Sequence, residues 1–374
     1  MDRLAALHDA GVSIWLDTLS RELLDTGEFA HLVTDCHVTG ATSNPTIFAK
    51  AITTSDRYNP QLQRLLATGE RDTRELFLAL ALEDVRHAAD LLQPVHERSD
   101  GRDGFVSFEC TPDLADDTDA TIDQARNLWS RLQRPNTMIK VPATAAGVPA
   151  IETLTADGLN INVTLLFSVE RYHQVMDAYQ AGLDARVRAG QLIDRVASVA
   201  SFFVSRVDTK VDDQLPDGSA LRGRAAVANA ADTFAAYQDT IAADRWQRLA
   251  AAGGRPQRPL WASTGTKNKD YSDVLYVEEL IAPGVVNTMP QATLDAFADH
   301  GTTRITLDDA AITSGREVLD QLRTAGVNLT AVTRQLEREG VEGFCDSYNQ
   351  LLACINERAA DVAPGAQTTG GRTR

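Results

Sequence analysis

The chain alternates two kinds of segment along most of its length, and this alternation limits its fold more than any other feature. One kind is short, apolar or β-branched, and ends in a polar cluster. It occurs eight times, at Ser13–Asp17, Val38–Asn44, Phe105–Glu109, Thr137–Val141, Asn160–Leu165, Val196–Phe203, Leu260–Ser263 and Val285–Met289. The other kind is longer and repeats its apolar residues at helical spacing. Arg74–Gln93 is the clearest, with Leu76, Leu80 and Val85 among its apolar positions, and Asp119–Leu132 and Val169–Ala189 read the same way. Strands that alternate with helices build a parallel sheet. Eight of them predict an α/β fold closed into a (β/α)8 TIM barrel, with an open doubly wound sheet as the competing arrangement. Such a barrel accommodates 374 residues as one domain, and no break in composition over 1–374 marks a second. Turn-forming residues near 212–224 (DDQLPDGSALRGR) and 253–258 (GGRPQR) read as surface insertions. From about residue 363 the chain lacks apolar anchors and is expected to be disordered.

A formal charge of −16 repels nucleic acid and anionic lipid, so neither is an expected partner. An anionic substrate would need a locally basic pocket within this acidic chain. The cysteines Cys36, Cys110, Cys345 and Cys354 are scattered and form no CxxC pair, which fits a reducing compartment. The first residues lack the basic and apolar regions of a signal peptide, and no stretch has the length of a membrane span. The cytoplasm is the expected location.

Alternate side chains of a barrel strand face the interior and the surrounding helices. In the third segment Val106 and Phe108 oppose Ser107 and Glu109. In the fourth, Ile139 and Val141 oppose Lys140; in the fifth, Ile161, Val163 and Leu165 oppose Asn162 and Thr164. Asp17 opposes Ile14 and Leu16, while Thr42 and Asn44 share a face, as do Ser201 and Phe203. One face is thus apolar, as packing against helices requires. The other places an amine, two carboxylates and several hydroxyls and amides where an inert barrel carries branched apolar residues. Each polar group there needs a partner or a ligand. Taken singly, every residue has a plainer reading: Lys140 as a buried ion-pair partner of Glu109 or Asp17, the amides and hydroxyls as network members, Phe203 as core.

Together they suit one chemistry. An amine in a water-poor pocket loses part of its preference for the charged form, and the neutral amine attacks a ketone to give an iminium ion. The iminium draws electrons from the neighbouring carbon–carbon bond, so cleavage leaves an enamine. One carboxylate takes the proton from the hydroxyl at the bond being cleaved, and a second shuttles protons while the carbinolamine forms and dehydrates. No metal-spaced His/Cys cluster, GxSxG, P-loop or Rossmann glycine fingerprint competes as a catalytic engine. Positive charge for an anionic substrate is available from Arg206, which follows the sixth segment, and from Lys267 in STGTKNK after the seventh, where Ser263 begins a glycine-containing loop.

Several stretches resemble the transaldolase family, in barrel order and over nearly the whole chain. GATSNPTIF (Gly40–Phe48) is similar to its TSNP/TTNP signature, and IKVPATAAG (Ile139–Gly147) to the segment that carries its Schiff-base lysine. WLDTLSR, INVTLLFS, ASFFVSR, PLWASTGTKNKDYSD and VVNTMP resemble further family segments. The resemblance implies a barrel of the class I aldolase type, with Lys140 as nucleophile and Asp17 acting on the hydroxyl of the bond cleaved. It implies that Glu109 and Thr164 hold the catalytic water, and that Thr42, Asn44, Ser107, Asn162, Ser201 and Phe203 line the pocket. Arg206 and Ser263 are implied as the phosphate site. The family's arginine two residues after that serine is Gly265 here, which leaves Lys267 as a second source of charge. The implied reaction passes a dihydroxyacetone unit from sedoheptulose 7-phosphate to glyceraldehyde 3-phosphate, in the non-oxidative pentose phosphate pathway, and uses neither a metal nor an organic cofactor. An aldolase that releases the three-carbon unit to water is the alternative. Sugar phosphates are the implied partners, in a monomer or homodimer.

Overall fold

A computed structural model describes residues 2–363. Eight parallel strands close into a barrel in chain order: β1 (Ser13–Leu16), β2 (Val38–Thr42), β3 (Phe105–Glu109), β4 (Thr137–Pro142), β5 (Ile161–Leu166), β6 (Ser198–Phe203), β7 (Arg258–Ala262) and β8 (Val286–Met289). The closed barrel is the arrangement read from the sequence, and the open sheet is excluded. The three amphipathic stretches are helices at Thr73–Arg98, Thr118–Leu132 and Val169–Arg188. Asp72, Asp117 and Ser168 cap their first turns with side-chain oxygens, which satisfies amide donors that the helices themselves leave free.

The outward strand faces are apolar and fully covered. Val106, Ile139, Val141, Ile161 and Val163 are buried against the helices, as are Leu76, Leu80 and Val85 from the other side. Phe108 meets Phe48 edge-on, with ring centroids 6.0 Å apart, which ties β3 to the helix Pro45–Thr54. The inward faces change character along the barrel axis. Trp15, Phe105, Met138 and Val199 gather at the end where the strands begin. Polar residues follow toward the end where they finish.

The structure departs from strict alternation in β5. Leu165 adopts φ +59°, and the pairing with β6 shifts register between Val163 and Leu166. An extra residue is accommodated there as a bulge. Leu165 therefore leaves the outward set of Ile161 and Val163. It lines a small cavity with Glu109 and Lys140, and its side chain approaches Gly340.

Both stretches read as insertions are held more closely than their composition suggested. Asp212 ends the helix Ser205–Asp212 and is buried. Its carboxylate accepts hydrogen bonds from Gly223 N (2.9 Å) and the Tyr271 hydroxyl (2.7 Å). Arg258 is the first residue of β7, and its guanidinium donates to Ser13 Oγ at 2.7 Å and to the carbonyls of Gly284 and Val285. The proline and glycines that suggested a turn stop one residue short of it. A helix of 34 residues, Leu329–Val362, ends the described chain. It packs across β5 and the helices Pro45–Thr54, Thr73–Arg98 and Ser205–Asp212. Apart from Ala363, the tail expected to be disordered lies outside the described residues. No helix among the described residues is long and apolar enough to cross a membrane.

Gly40 faces its strand neighbour Trp15. A Cβ there would lie 2.5 Å from the indole ring, well inside contact distance. Gly40→Ala must displace Trp15 or the backbone, and overpacking of this kind costs about 1–3 kcal/mol. The expected result is a lower urea midpoint at unchanged slope.

Candidate active site

Strand register brings the ionisable residues together. Glu109 on β3 pairs with Lys140 on β4, and Lys140 pairs with Asn162 on β5. Lys140 is 5% exposed. Its Nζ lies 2.6 Å from Glu109 Oε1 and donates to the Ser43 carbonyl at 3.1 Å. The ion-pair reading of Lys140 is thus met in part. Apart from this contact with the ammonium, neither carboxylate oxygen has a hydrogen-bond partner among the described residues. Thr164 Oγ1 is also buried without a partner. Burial raises the Glu109 pKa; the Lys140 ammonium opposes the shift and the nearby charge of Asp17 adds to it.

Beneath this pair the polar residues form a closed chain. Ser201 Oγ donates to Asn162 Oδ1 at 2.7 Å, and Asn162 Nδ2 donates to Ser107 Oγ at 2.9 Å. Ser43 Oγ donates to the Ser107 carbonyl at 3.0 Å. On the other side Thr42 Oγ1 lies 2.9 Å from Asp17 Oδ1 and 2.9 Å from Thr288 Oγ1. Thr42 therefore donates to the carboxylate and accepts from Thr288. Asp17 follows the last residue of β1, and its amide donates to the Met289 carbonyl at 2.8 Å, which fixes it against β8.

Asn44 has left β2 and caps the helix Pro45–Thr54, its Oδ1 accepting from Ile47 N at 3.0 Å. Phe203 stacks obliquely on Phe167, with centroids 5.2 Å apart, and the Arg206 guanidinium sits 5.3 Å from the Phe203 ring centroid. Arg206 makes neither an ion pair nor a side-chain hydrogen bond among the described residues. Burial lowers its pKa, against the charges of Asp17 and Glu339. Ser263 is held at φ +56°, and its hydroxyl is 3.0 Å from that of Ser205. A serine in this left-handed region is uncommon and marks a backbone bent for a purpose. Asp17, Asn44, Arg206 and Ser263 are all partly exposed, so the cluster opens to solvent where the strands end. Lys267 is exposed and lines a separate surface cavity with Asp208, Asp212, Asp213 and Arg222.

Several contributors escaped the sequence reading. Ser43 and Thr288 lie inside quoted motifs, but only the fold shows which group each touches. Val341 and Phe344 reach the cluster from the C-terminal helix and, with Glu109, Lys140, Thr164 and Leu165, enclose a cavity of about 10 Å³. Gly340 in that helix was the one sequence signal of a close approach, since a Cβ there would lie 2.9 Å from the Leu165 side chain. Among the described residues no group of three or more His, Cys, Asp or Glu side chains is arranged to hold a metal ion.

The sequence profile described as Transaldolase/Fructose-6-phosphate aldolase matches residues 14–355. The chain belongs to the transaldolase/fructose-6-phosphate aldolase family. It is 50% identical over 358 residues to a transaldolase of Saccharopolyspora erythraea, covering 95% of this chain and 97% of that one. A transaldolase of Thermobifida fusca is 49% identical over 362 residues, covering 96% and 98%. One of Acidothermus cellulolyticus is 51% identical over 358 residues, covering 95% and 96%.

Asn162 is the one side chain that bonds both Ser107 and Ser201. Asn162→Leu keeps most of its volume but leaves two buried hydroxyls without their partner, so urea unfolding should report a loss of about 1–3 kcal/mol.

Proposed function

We propose that this protein is a transaldolase. It moves a dihydroxyacetone unit from sedoheptulose 7-phosphate to glyceraldehyde 3-phosphate, giving erythrose 4-phosphate and fructose 6-phosphate, through a Schiff base on Lys140. The step belongs to the non-oxidative pentose phosphate pathway. The observation that carries the reading is a buried amine beside a carboxylate whose oxygens are otherwise unpartnered. A purely structural buried pair requires its lone pairs to be satisfied. Here the reacting amine is their one partner among the described residues, in a chain about half identical to proteins named transaldolase.

Each step has a group near at hand. Glu109, made more basic by burial, takes the ammonium proton, and the freed Nζ attacks the ketone carbon. Loss of water from the carbinolamine gives the iminium. The cavity of about 10 Å³ is the size of one water molecule, and Glu109 and Thr164 offer it polar partners. Asp17, oriented by Thr42, removes the proton from the hydroxyl next to the scissile bond. That bond breaks, its electrons pass to the iminium as an enamine, and the aldehyde product leaves. An acceptor aldehyde then reacts with the enamine by the reverse path, and water frees Lys140. Ser107, Asn162 and Ser201 fix the lysine's surroundings, and Asn44 and Phe203 border the three-carbon unit. Arg206, without a counter-ion among the described residues, and Ser263 hold the phosphate; Lys267, in its separate cavity, is left out of the contact set. The four unpaired cysteines support a reducing, cytoplasmic setting. We infer one domain, as a monomer or homodimer.

Borohydride reduction in the presence of fructose 6-phosphate should fix a three-carbon adduct on the peptide bearing Lys140. Lys140→Ala should give no adduct and no turnover; an adduct elsewhere, or retained turnover, overturns the assignment. The aldolase alternative is separated by omitting the acceptor, since equal cleavage without erythrose 4-phosphate would mean release to water. The raised Glu109 pKa sets the pH response. Glu109 works as a base only when ionised, so kcat/KM should fall as pH drops, through an apparent pKa above the ordinary glutamate value. Glu109→Gln should lower kcat by about 10²- to 10⁴-fold and abolish that acid limb.

A further inference from the structure

A second and much larger cavity, of about 620 Å³, opens at the other end of the barrel, among the residues that begin the strands. Trp15, Phe105, Met138 and Val199 form its floor, and Arg102, Arg195, Arg255 and Arg258 face it. Four guanidinia around one cavity is a marked concentration in a chain of net charge −16.

Their charge is poorly compensated. The Arg102 side chain makes no hydrogen bond and no ion pair among the described residues. Arg258 donates only to neutral acceptors: the Gly284 carbonyl at 2.8 Å, the Arg102 and Val285 carbonyls at 3.1 Å, and Ser13 Oγ at 2.7 Å. Arg255 donates to the carbonyls of Gly101 and Asp100, with the Asp100 carboxylate 3.8 Å away. Arg195 lies 3.5 Å from Asp100 and 4.0 Å from Asp194.

Asp100, Asp103 and Asp194 also line the cavity, so its four arginines leave one positive charge in excess. Asp103 is already engaged by the Ser13 hydroxyl, Trp15 Nε1 (2.8 Å) and Gly104 N (3.0 Å). The Asp100 and Asp194 side chains are 71% and 48% exposed, at the solvent rim. Burial lowers the Arg255 pKa; Asp100 and Asp194 oppose the shift, and Arg195 and Arg102 add to it. The Tyr237 hydroxyl, on a buried side chain lining the cavity, makes no hydrogen bond among the described residues.

We propose that this cavity is a second anion site, distinct from the catalytic mouth, which takes a small phosphorylated metabolite. Guanidinium forks match phosphate oxygens, and the volume lies in the range of small-molecule sites. The site stands whether or not the transaldolase reading holds, because none of its lining residues belongs to the Lys140 cluster.

Pyrophosphate in phosphate-free buffer is the probe, followed by isothermal titration calorimetry. Arg206→Ala serves as the parent protein, to remove phosphate binding at the catalytic end. It should still bind pyrophosphate and gain thermal stability from it. Adding Arg102→Gln and Arg195→Gln should weaken binding at least tenfold. Arg102→Gln alone disturbs no internal contact and should itself weaken binding severalfold. No binding to Arg206→Ala, or an affinity unchanged by Arg102→Gln, overturns the proposal.

Discussion

An amine and a carboxylate held 2.6 Å apart inside a ring of strands set the terms for everything around them. Neither charge is stable in such a place by itself, and their mutual attraction does not by itself replace the water each has lost. The barrel supplies the remainder through geometry. The register of β3 and β4 sets Glu109 beside Lys140, and the Ser43 carbonyl accepts from the ammonium. The Ser201–Asn162–Ser107 chain supports the next level down without claiming the carboxylate oxygens. Ser201, Asn162 and Ser107 satisfy one another. Thr164 Oγ1 finds no partner among the described residues, and the Glu109 oxygens have only the Lys140 ammonium.

Much of this was legible in the chain because strand periodicity is rigid. A period of two fixes which side of β4 carries Lys140 once Ile139 and Val141 are known to face helices, and the same holds for Glu109 and Asn162. The rule fails where the backbone leaves the regular region. Leu165 reads as outward by counting, but a positive φ turns it toward the lysine, and nothing in the residue types around it announces a bulge. Asn44 shares the parity of Thr42, yet its carbonyl oxygen serves the following helix, because an asparagine before a proline is also a good cap. Contacts between distant segments were out of reach altogether. Tyr271 with Asp212, Phe344 at the cavity beside Lys140, and Arg258 with Ser13 depend on how the barrel closes, which no local pattern encodes.

Electrostatics divides the molecule along the barrel axis. The surface is acidic, with aspartate and glutamate outnumbering lysine and arginine by 52 to 36. At the mouth where the strands end, Arg206 has no carboxylate partner among the described residues and lies in the field of Asp17 and Glu339. A repelling exterior with local basic openings screens against long polyanions while leaving small phosphorylated molecules a favourable place to settle.

The C-terminal helix has a consequence in time as well as in space. All eight strands are complete by Met289, whereas Val341 and Phe344, which wall the lysine off from one side, come more than fifty positions later in the chain. Because the ribosome extends the chain from its amino end, a nascent barrel has its full complement of reacting groups before it has a roof. Closure of the cavity beside Lys140 thus waits on a stretch that emerges well after the barrel strands.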